Sequence, residues 1–329
     1  MHLRYGVLVA AAVVAMSSGV AAQTFNADTQ GRIDFPTAYY ESWPDVFNGK
    51  SKPQTGRAIL RLPNGALQPV PLVVIMHTIG GYYDENEGWF ARELNKKGYA
   101  TAEVDSFTPR DARNMVKTGG QWISPTMISD AHHVLASLTA HPRVDTNHAA
   151  IVGFSQGGEA AHLAAFKRLA DRMLPDGPRF AAHVPFYPPC GVTANPTSNG
   201  YSGAPVLMLL AEKDDAGPPG KCREIVDLYK RRGLPAPVDI VVYPGAYHGW
   251  THPGNKTPHF ESSAVSVGKC APLLFAPGGE VRNGIVEPVD NVLRAACTAK
   301  TGYSMGYDAK VRDKSLSDLI DFLNKTLRG

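Results

Sequence analysis

The pentapeptide Gly153-Phe154-Ser155-Gln156-Gly157 limits how this chain can fold more than any other feature. A short apolar run, residues 149–152, precedes it, and an Ala-rich stretch, 158–169, follows it. This context predicts a strand, a very sharp turn and a helix. The residues two before and two after the serine crowd together in such a turn, so only small side chains fit there, which accounts for Gly153 and Gly157. Ser155 then stands at the start of the helix, where the backbone dipole favours negative charge.

Predicted strands and helices alternate on both sides of this turn. The alternation indicates βαβ units and therefore an α/β protein, with a mostly parallel sheet covered by helices on both faces. Residues 23–56 have no clear period and are expected to form an irregular arm. The stretch 252–301 fits the alternation poorly, and we interpret it as an insertion in a single domain spanning 23–329. The predicted strands are 58–62, 72–76, 99–104, 149–152, 180–187, 205–210 and 238–243, and the helices are 88–97, 125–138, 158–169, 221–231 and 313–327.

Residues 1–22 are typical of a secretory signal peptide. A basic start, Met1–Arg4, is followed by the apolar run Val7–Met16 and by small residues up to Ala22. The run is shorter than the roughly 20 residues that a spanning helix needs. We therefore expect cleavage after Ala22 and a secreted or periplasmic protein with no membrane contact after cleavage.

The overall composition excludes several classes of protein. With 43% hydrophobic residues and 33 Lys+Arg against 30 Asp+Glu, the chain is too apolar and too evenly charged to be intrinsically disordered. It has no long run of Lys or Arg, so we expect no nucleic-acid partner.

The four cysteines are an even set that export would place in an oxidising compartment, which predicts disulfides. Cys190 follows one predicted strand, and Cys222 begins the helix after the next strand. Successive parallel strands are usually neighbours, so these two cysteines are expected to pair. Cys270 and Cys297 then pair by elimination. No CxxC spacing occurs, which argues against a zinc ribbon.

Ser155 needs a base before its hydroxyl becomes a good nucleophile. His248 follows the strand 238–243 and is flanked by glycine, and Asp214 lies just past the strand 205–210. The order Ser, acid, His is one that serine hydrolases of α/β folds use. Asp215 is the main alternative acid and Glu212 a weaker one.

Other histidines are given less active roles. A metal cluster of His248, His252 and His259 would need helical spacing, which Pro253 and Gly254 forbid, so we expect no metal and no cofactor. His132 and His133 are expected at the surface or boundary of their helix.

An oxyanion hole needs two backbone amides. One is expected from Gln156 and the other from the loop His77-Thr78-Ile79-Gly80-Gly81, with Thr78 the first choice and Ile79 the second. His77 is expected to support this loop by hydrogen bonding. Five aromatic residues either line a substrate pocket or pack the rim: Tyr82, Tyr83, Trp122, Trp250 and Phe260.

Several phrases over residues 58–251 together resemble the dienelactone hydrolase family of α/β-hydrolases. They are the segment 98–107 with Arg110, the turn GFSQGG, FYPPC at 186–190, AEKDD at 211–215 with Pro218, and YPGAYHG at 243–249. In this family the acidic residue stands four positions before a proline, which implies Asp214 rather than Asp215. The resemblance implies hydrolysis of a small-molecule ester through an acyl-enzyme.

The chain departs from the family pattern in two ways. Ser155 replaces the cysteine nucleophile of the cytosolic members, and the loop 77–81 lacks the glutamate that partners the thiol. Both departures favour a serine esterase over a true dienelactone hydrolase, and the expected export and cysteine pair point to a secreted branch of the family. A serine peptidase of the same fold and a binding protein that lost catalysis remain as alternatives.

Overall fold

The computed structural model describes residues 24–65, 68–120, 122–194, 201–231, 233, 237–266, 268, 273–275, 281–283, 287–288 and 302–329. The predicted signal peptide, Cys270, Cys297 and much of the predicted insertion lie outside the described residues. Within these ranges, no helix combines the length and the apolar character needed to cross a bilayer.

An eight-stranded sheet runs through the centre of the protein, in the order β1-β2-β4-β3-β5-β6-β8-β9. All neighbours from β4 to β9 are parallel, and only β2 runs antiparallel to its two neighbours, β1 and β4. The fold is therefore α/β with a mostly parallel sheet, as the alternation predicted. The strands are β1 Gly31–Tyr39, β2 Lys52–Arg61, β3 Val70–Met76, β4 Ala100–Asp105, β5 Val144–Phe154, β6 Ala182–Phe186, β8 Val206–Ala211 and β9 Val238–Tyr243.

Helices cover both faces of this sheet. The buried side chains of α1, α3, α4, α5 and α6 pack on one face, and those of α2 and α7 pack on the other. Side chains alternate along each strand, so Met76 faces the first core and Ile75 the second. The helices are α1 Trp43–Asn48, α2 Trp89–Lys96, α3 Ile123–Leu138, α4 Gln156–Leu163, α5 Lys167–Met173, α6 Pro219–Arg231 and α7 Ala309–Leu327.

The prediction of an irregular arm at 23–56 is wrong. This segment forms β1, the short helix α1 and the first half of β2, and β1 pairs with β2 along its whole length. Ile33 and Phe35 are buried while the intervening Asp34 is exposed, which is the two-residue period of a half-buried strand. Gly56 lies opposite Phe35, where any side chain would overlap the ring.

The single helix predicted over 158–169 is also wrong, because the chain breaks between α4 and α5. Phe166 takes an extended backbone conformation and its ring is buried. The ring packs against Tyr201 and Tyr229. The free energy gained by burying this large aromatic group therefore outweighs the free energy of continuing the helix.

Described parts of the predicted insertion pair outside the central sheet. Strand β10, His259–Glu261, pairs antiparallel with β14, Tyr303–Met305. A second small sheet has the order β13-β12-β11-β7 and consists of β7 Val192–Ala194, β11 Leu273–Phe275, β12 Val281–Asn283 and β13 Glu287–Pro288.

Candidate active site

Ser155 occupies a strained turn between β5 and α4. Its φ of 53° and ψ of −111° lie where few non-glycine residues are found. A Cβ atom on Gly153 would come 2.0 Å from the Gly157 carbonyl oxygen, and one on Gly157 would come 2.3 Å from that of Met76. The glycines at both ends of the motif are therefore required by close backbone contacts, as the sequence predicted.

Three of the sequence-predicted side chains form one hydrogen-bonded row. The Ser155 Oγ atom lies 2.8 Å from His248 Nε2, and His248 Nδ1 lies 2.8 Å from Asp214 Oδ2. All three residues are buried. The second oxygen of Asp214 accepts hydrogen bonds from two backbone amides, those of Ala216 and Gly217. These bonds fix the carboxylate so that it can hold His248 in the tautomer that accepts a proton at Nε2.

The two alternative acids have other partners. Glu212 accepts a hydrogen bond from the Gly245 amide and so ties the loop after β8 to the loop after β9. Asp215 accepts hydrogen bonds from the Ser304 amide, at 2.6 Å, and from the Ser304 hydroxyl, at 3.1 Å.

The loop after β3 lies next to the serine turn. The Met76 and His77 carbonyl oxygens approach Gly157. His77 is buried, with Nδ1 donating to the Thr78 carbonyl and Nε2 accepting from the Ser106 amide. Burial lowers the pKa of His77, which suits a neutral ring that supports the loop.

A family model for the dienelactone hydrolase family matches residues 57–276. The chain belongs to this family. It is therefore an ester hydrolase with the α/β-hydrolase fold, as its motifs predicted.

Solved structures of dienelactone hydrolase-like proteins share this fold. A dienelactone hydrolase-like promiscuous phosphotriesterase from metagenomic libraries is 18% identical, with a TM-score of 0.55, and the match covers 90% of this chain and 99% of that one. The protein m3DLH is 15% identical, with a TM-score of 0.51 and the same coverage of 90% and 99%. A search of curated protein sequences gives no significant match.

This dienelactone hydrolase family member also has a buried carboxyl group that the sequence analysis missed. Glu87 is fully buried and accepts hydrogen bonds from the Tyr83 amide, at 2.9 Å, and the Asn86 side chain, at 3.0 Å. The Thr78 amide also lies near this carboxyl group and acts to lower its pKa. Burial raises the pKa of Glu87 to about 7. Its place beside the loop could not be found from sequence, because no spacing rule links position 87 to position 78.

The two predicted oxyanion donors of the loop have different neighbours. The Thr78 amide lies near the Glu87 carboxyl group, and the Ile79 amide has no acceptor among the residues that the structure describes. The Gln156 amide, at the first position of α4, is likewise without an acceptor there.

The aromatic residues singled out in the sequence have different environments. Trp250 is fully buried in the core and donates its indole N–H to Ser315, so it does not line a pocket. Tyr82 donates to Glu103, and Tyr83 packs beside Gly80 and the His252 ring. Trp122 contacts the rings of Tyr39 and Phe107, and Phe260 is 56% exposed.

A disulfide joins Cys190 to Cys222, as predicted. Cys190 follows β6, and Cys222 lies in the first turn of α6, just after the loop that contains Asp214. Both cysteines are buried. The bridge therefore links the loop after β6 to the helix that follows the Asp214 loop.

Proposed function

We propose that this enzyme is a serine ester hydrolase in which Ser155, His248 and Asp214 form the catalytic triad. The hydrogen-bonded row of these side chains at the strained turn carries the proposal. Each group has the partner that its role requires: the serine has a base, and the base has a buried carboxylate at its other nitrogen.

The reaction proceeds by acyl transfer to water. Ser155 Oγ attacks the ester carbonyl carbon while its proton passes to His248 Nε2. The tetrahedral intermediate then loses the alcohol, which takes this proton from His248, and the acyl group stays on Ser155. A water molecule gives a proton to His248, attacks the acyl carbon and releases the carboxylic acid, and Ser155 regains its proton.

We assign the oxyanion donors to the amides of Gln156 and Ile79. The Thr78 amide, the first choice from sequence, lies near the Glu87 carboxyl group. The Ile79 amide has no acceptor of its own in the described part of the chain, and such an amide can stabilise a developing oxyanion directly.

The surroundings favour an uncharged ester. Ile79 and Met115 are partly buried apolar residues joined by a backbone hydrogen bond. Arg110, the cation that follows β4, is 4% exposed and makes two hydrogen bonds to the buried Asp130 carboxylate. That guanidinium is therefore committed to Asp130 rather than to a substrate carboxylate.

Labelling and hydrolysis test the proposal. The wild-type protein should react with a fluorophosphonate probe at Ser155 and hydrolyse p-nitrophenyl esters, and Ser155→Ala should reduce kcat about 10⁴-fold or more. Ser137→Ala, in the last turn of α3, is the matched control and should keep full activity. Activity of Ser155→Ala within tenfold of wild type would refute the triad. Faster cleavage of peptide p-nitroanilides than of esters would favour a peptidase, and a folded wild-type protein that neither labels nor hydrolyses would favour a binding protein.

We also propose that the protein is exported and that its signal peptide is cleaved after Ala22. The disulfide Cys190–Cys222 supports an oxidising compartment, since such bridges are rare in reducing ones. Fractionation of the native host, with N-terminal sequencing of the purified protein, tests both secretion and cleavage after Ala22.

A further inference from the structure

The imidazole of His248 has an aromatic ring on each of two sides. The Tyr187 ring lies 5.0 Å from it with an interplanar angle of 69°, and the Tyr303 ring lies 5.1 Å from it with an angle of 71°. Edge-to-face contacts of this kind restrict where a ring can move. Both tyrosines and His248 itself are buried.

The two tyrosines come from different parts of the protein. Tyr187 directly follows the central strand β6 and its hydroxyl is hydrogen-bonded to Thr251 at 2.5 Å. Tyr303 begins β14, which lies outside the central sheet and beyond residues 57–276 that the family model matches. The Tyr303 ring therefore lies on a strand outside the central sheet, and the position of this strand depends on its own contacts with the site.

Three local contacts hold β14 against the site. Met305 forms a backbone bridge with His248, and the Gly306 amide donates to the His248 carbonyl oxygen at 3.1 Å. Asp215 accepts both the amide and the hydroxyl of Ser304. Because Asp215 adjoins Asp214, this carboxylate connects β14 directly to the loop that carries the triad acid.

Apolar side chains close the space around Tyr303. Tyr303 is 5% exposed and forms a small cluster with Ala216 and Ala264, against which Val116 and Met305 pack. Two of its members contact the Asp214–His248 pair: the Tyr303 ring packs against the His248 ring, and the Ala216 amide donates to Asp214. Excluding water from such a pair strengthens its hydrogen bond and keeps the imidazole in one orientation.

We propose that Tyr303 and Asp215 are positioning residues of the enzyme: the Tyr303 ring holds His248 in its reactive orientation, and Asp215 holds the strand that carries Tyr303. The inference rests on the proposed triad. Neither residue takes part in bond making, and each acts through His248.

A double-mutant cycle tests this coupling. Tyr303→Ala should lower kcat about 100-fold with KM changed less than threefold, because small displacements of a catalytic group have effects of that order. Asp215→Ala should lower kcat in the same way. The double variant should be no slower than Tyr303→Ala, because both substitutions disrupt the same placement of the Tyr303 ring against His248. Multiplied losses in the double variant would mean that Asp215 acts through Asp214 instead, and would overturn the inference.

Two further variants separate positioning from general damage. Tyr303→Phe keeps the ring and should retain kcat within about threefold of wild type. Phe260→Ala is the matched control, because Phe260 lies opposite Ser304 on the partner strand β10 but its ring is largely exposed. It should leave kcat unchanged, and a loss as large as that of Tyr303→Ala would overturn the inference. If Tyr303→Ala does not fold, the other two variants still test the proposal, because kcat should fall in Asp215→Ala and stay near the wild-type value in Tyr303→Phe.

A spectroscopic measurement gives a readout independent of turnover. The proton between His248 Nδ1 and Asp214 should lie downfield of the amide protons in the NMR spectrum, because it is hydrogen-bonded to a carboxylate. It should be visible because the cover slows its exchange with water. It should vanish by exchange in Tyr303→Ala and Asp215→Ala and persist in Tyr303→Phe and Phe260→Ala. Its persistence in Tyr303→Ala would refute the proposed cover. Inactive wild-type protein, or active Ser155→Ala, would instead contradict the proposed function.

Discussion

His132 provides a test of how burial shapes the pH dependence of this protein. The ring lies fully buried on α3, next to Phe180, and neither of its nitrogens has a hydrogen-bond partner in the described part of the chain. Burial lowers its pKa from 6.5 to about 3, and the nearby Arg179, His183 and His133 add to this effect. We expect His132→Leu to weaken the loss of stability in acid.

The magnitude follows from proton linkage. Between pH 6.5 and about 3 the unfolded chain binds a proton at His132 and the folded protein does not, so stability falls as the pH falls. The slope is about 1.4 kcal/mol per pH unit for one group, or about 2 kcal/mol at pH 5 relative to pH 7. Leucine removes this proton uptake, whereas any change in packing adds a constant that is independent of pH.

Urea unfolding at pH 7, 6 and 5, at constant ionic strength, measures the difference. Relative to wild type, His132→Leu should gain about 2 kcal/mol between pH 7 and pH 5. Val134→Ala is the control, because this buried side chain on the same helix does not titrate, and it should change the unfolding stability by the same amount at every pH. If the stability difference between His132→Leu and wild type varies by less than about 0.5 kcal/mol from pH 7 to pH 5, the reasoning is refuted.

Three further predictions concern the site and its surroundings. Asp214→Asn should lower kcat at least tenfold more than Asp215→Asn in steady-state hydrolysis, because only Asp214 contacts His248; equal losses would contradict this choice of acid. Burial raises the pKa of Glu87 from 4.5 to about 7, so this group destabilises the folded protein increasingly as the pH rises between these two values. In urea unfolding, Glu87→Gln should therefore be about 3 kcal/mol more stable than wild type at pH 8 but not at pH 4.5. Replacing both Cys190 and Cys222 with alanine should reduce unfolding stability by about 3.5 kcal/mol, as expected from closing a loop of 32 residues, and unchanged stability would argue that the bridge is absent from the purified protein.

Much of the fold and the arrangement of the site could be predicted because the decisive patterns are local. The serine turn needs glycines at fixed offsets, and Asp214 and His248 each follow a strand of the parallel sheet. Parallel strands bring their carboxyl ends to one edge, so the order along the sequence is enough to bring these residues together.

The missed features depend on contacts between distant segments. Strand β1 was not recognised from the alternation of Ile33 and Phe35, and β1 packs on α3, where Thr37 donates to Asp130. Most residues of α3 are buried, not only those on the apolar face that the sequence shows. His132 is therefore buried, although it was expected at the surface or boundary of the helix. Glu87 and Tyr303 likewise lie beside the site only through tertiary packing that no sequence period encodes.

The tight backbone contacts of the serine turn have a consequence for mutational tolerance. Every missense change of a glycine codon adds a Cβ atom, and at Gly153, Gly157 and Gly158 that atom would approach a backbone oxygen within 2.0, 2.3 and 2.6 Å. In a saturation library scored for both abundance and hydrolysis, these three positions should be depleted in both maps. Ser155 should be depleted only in the hydrolysis map, so comparing the two would distinguish residues that shape the turn from the residue that uses it.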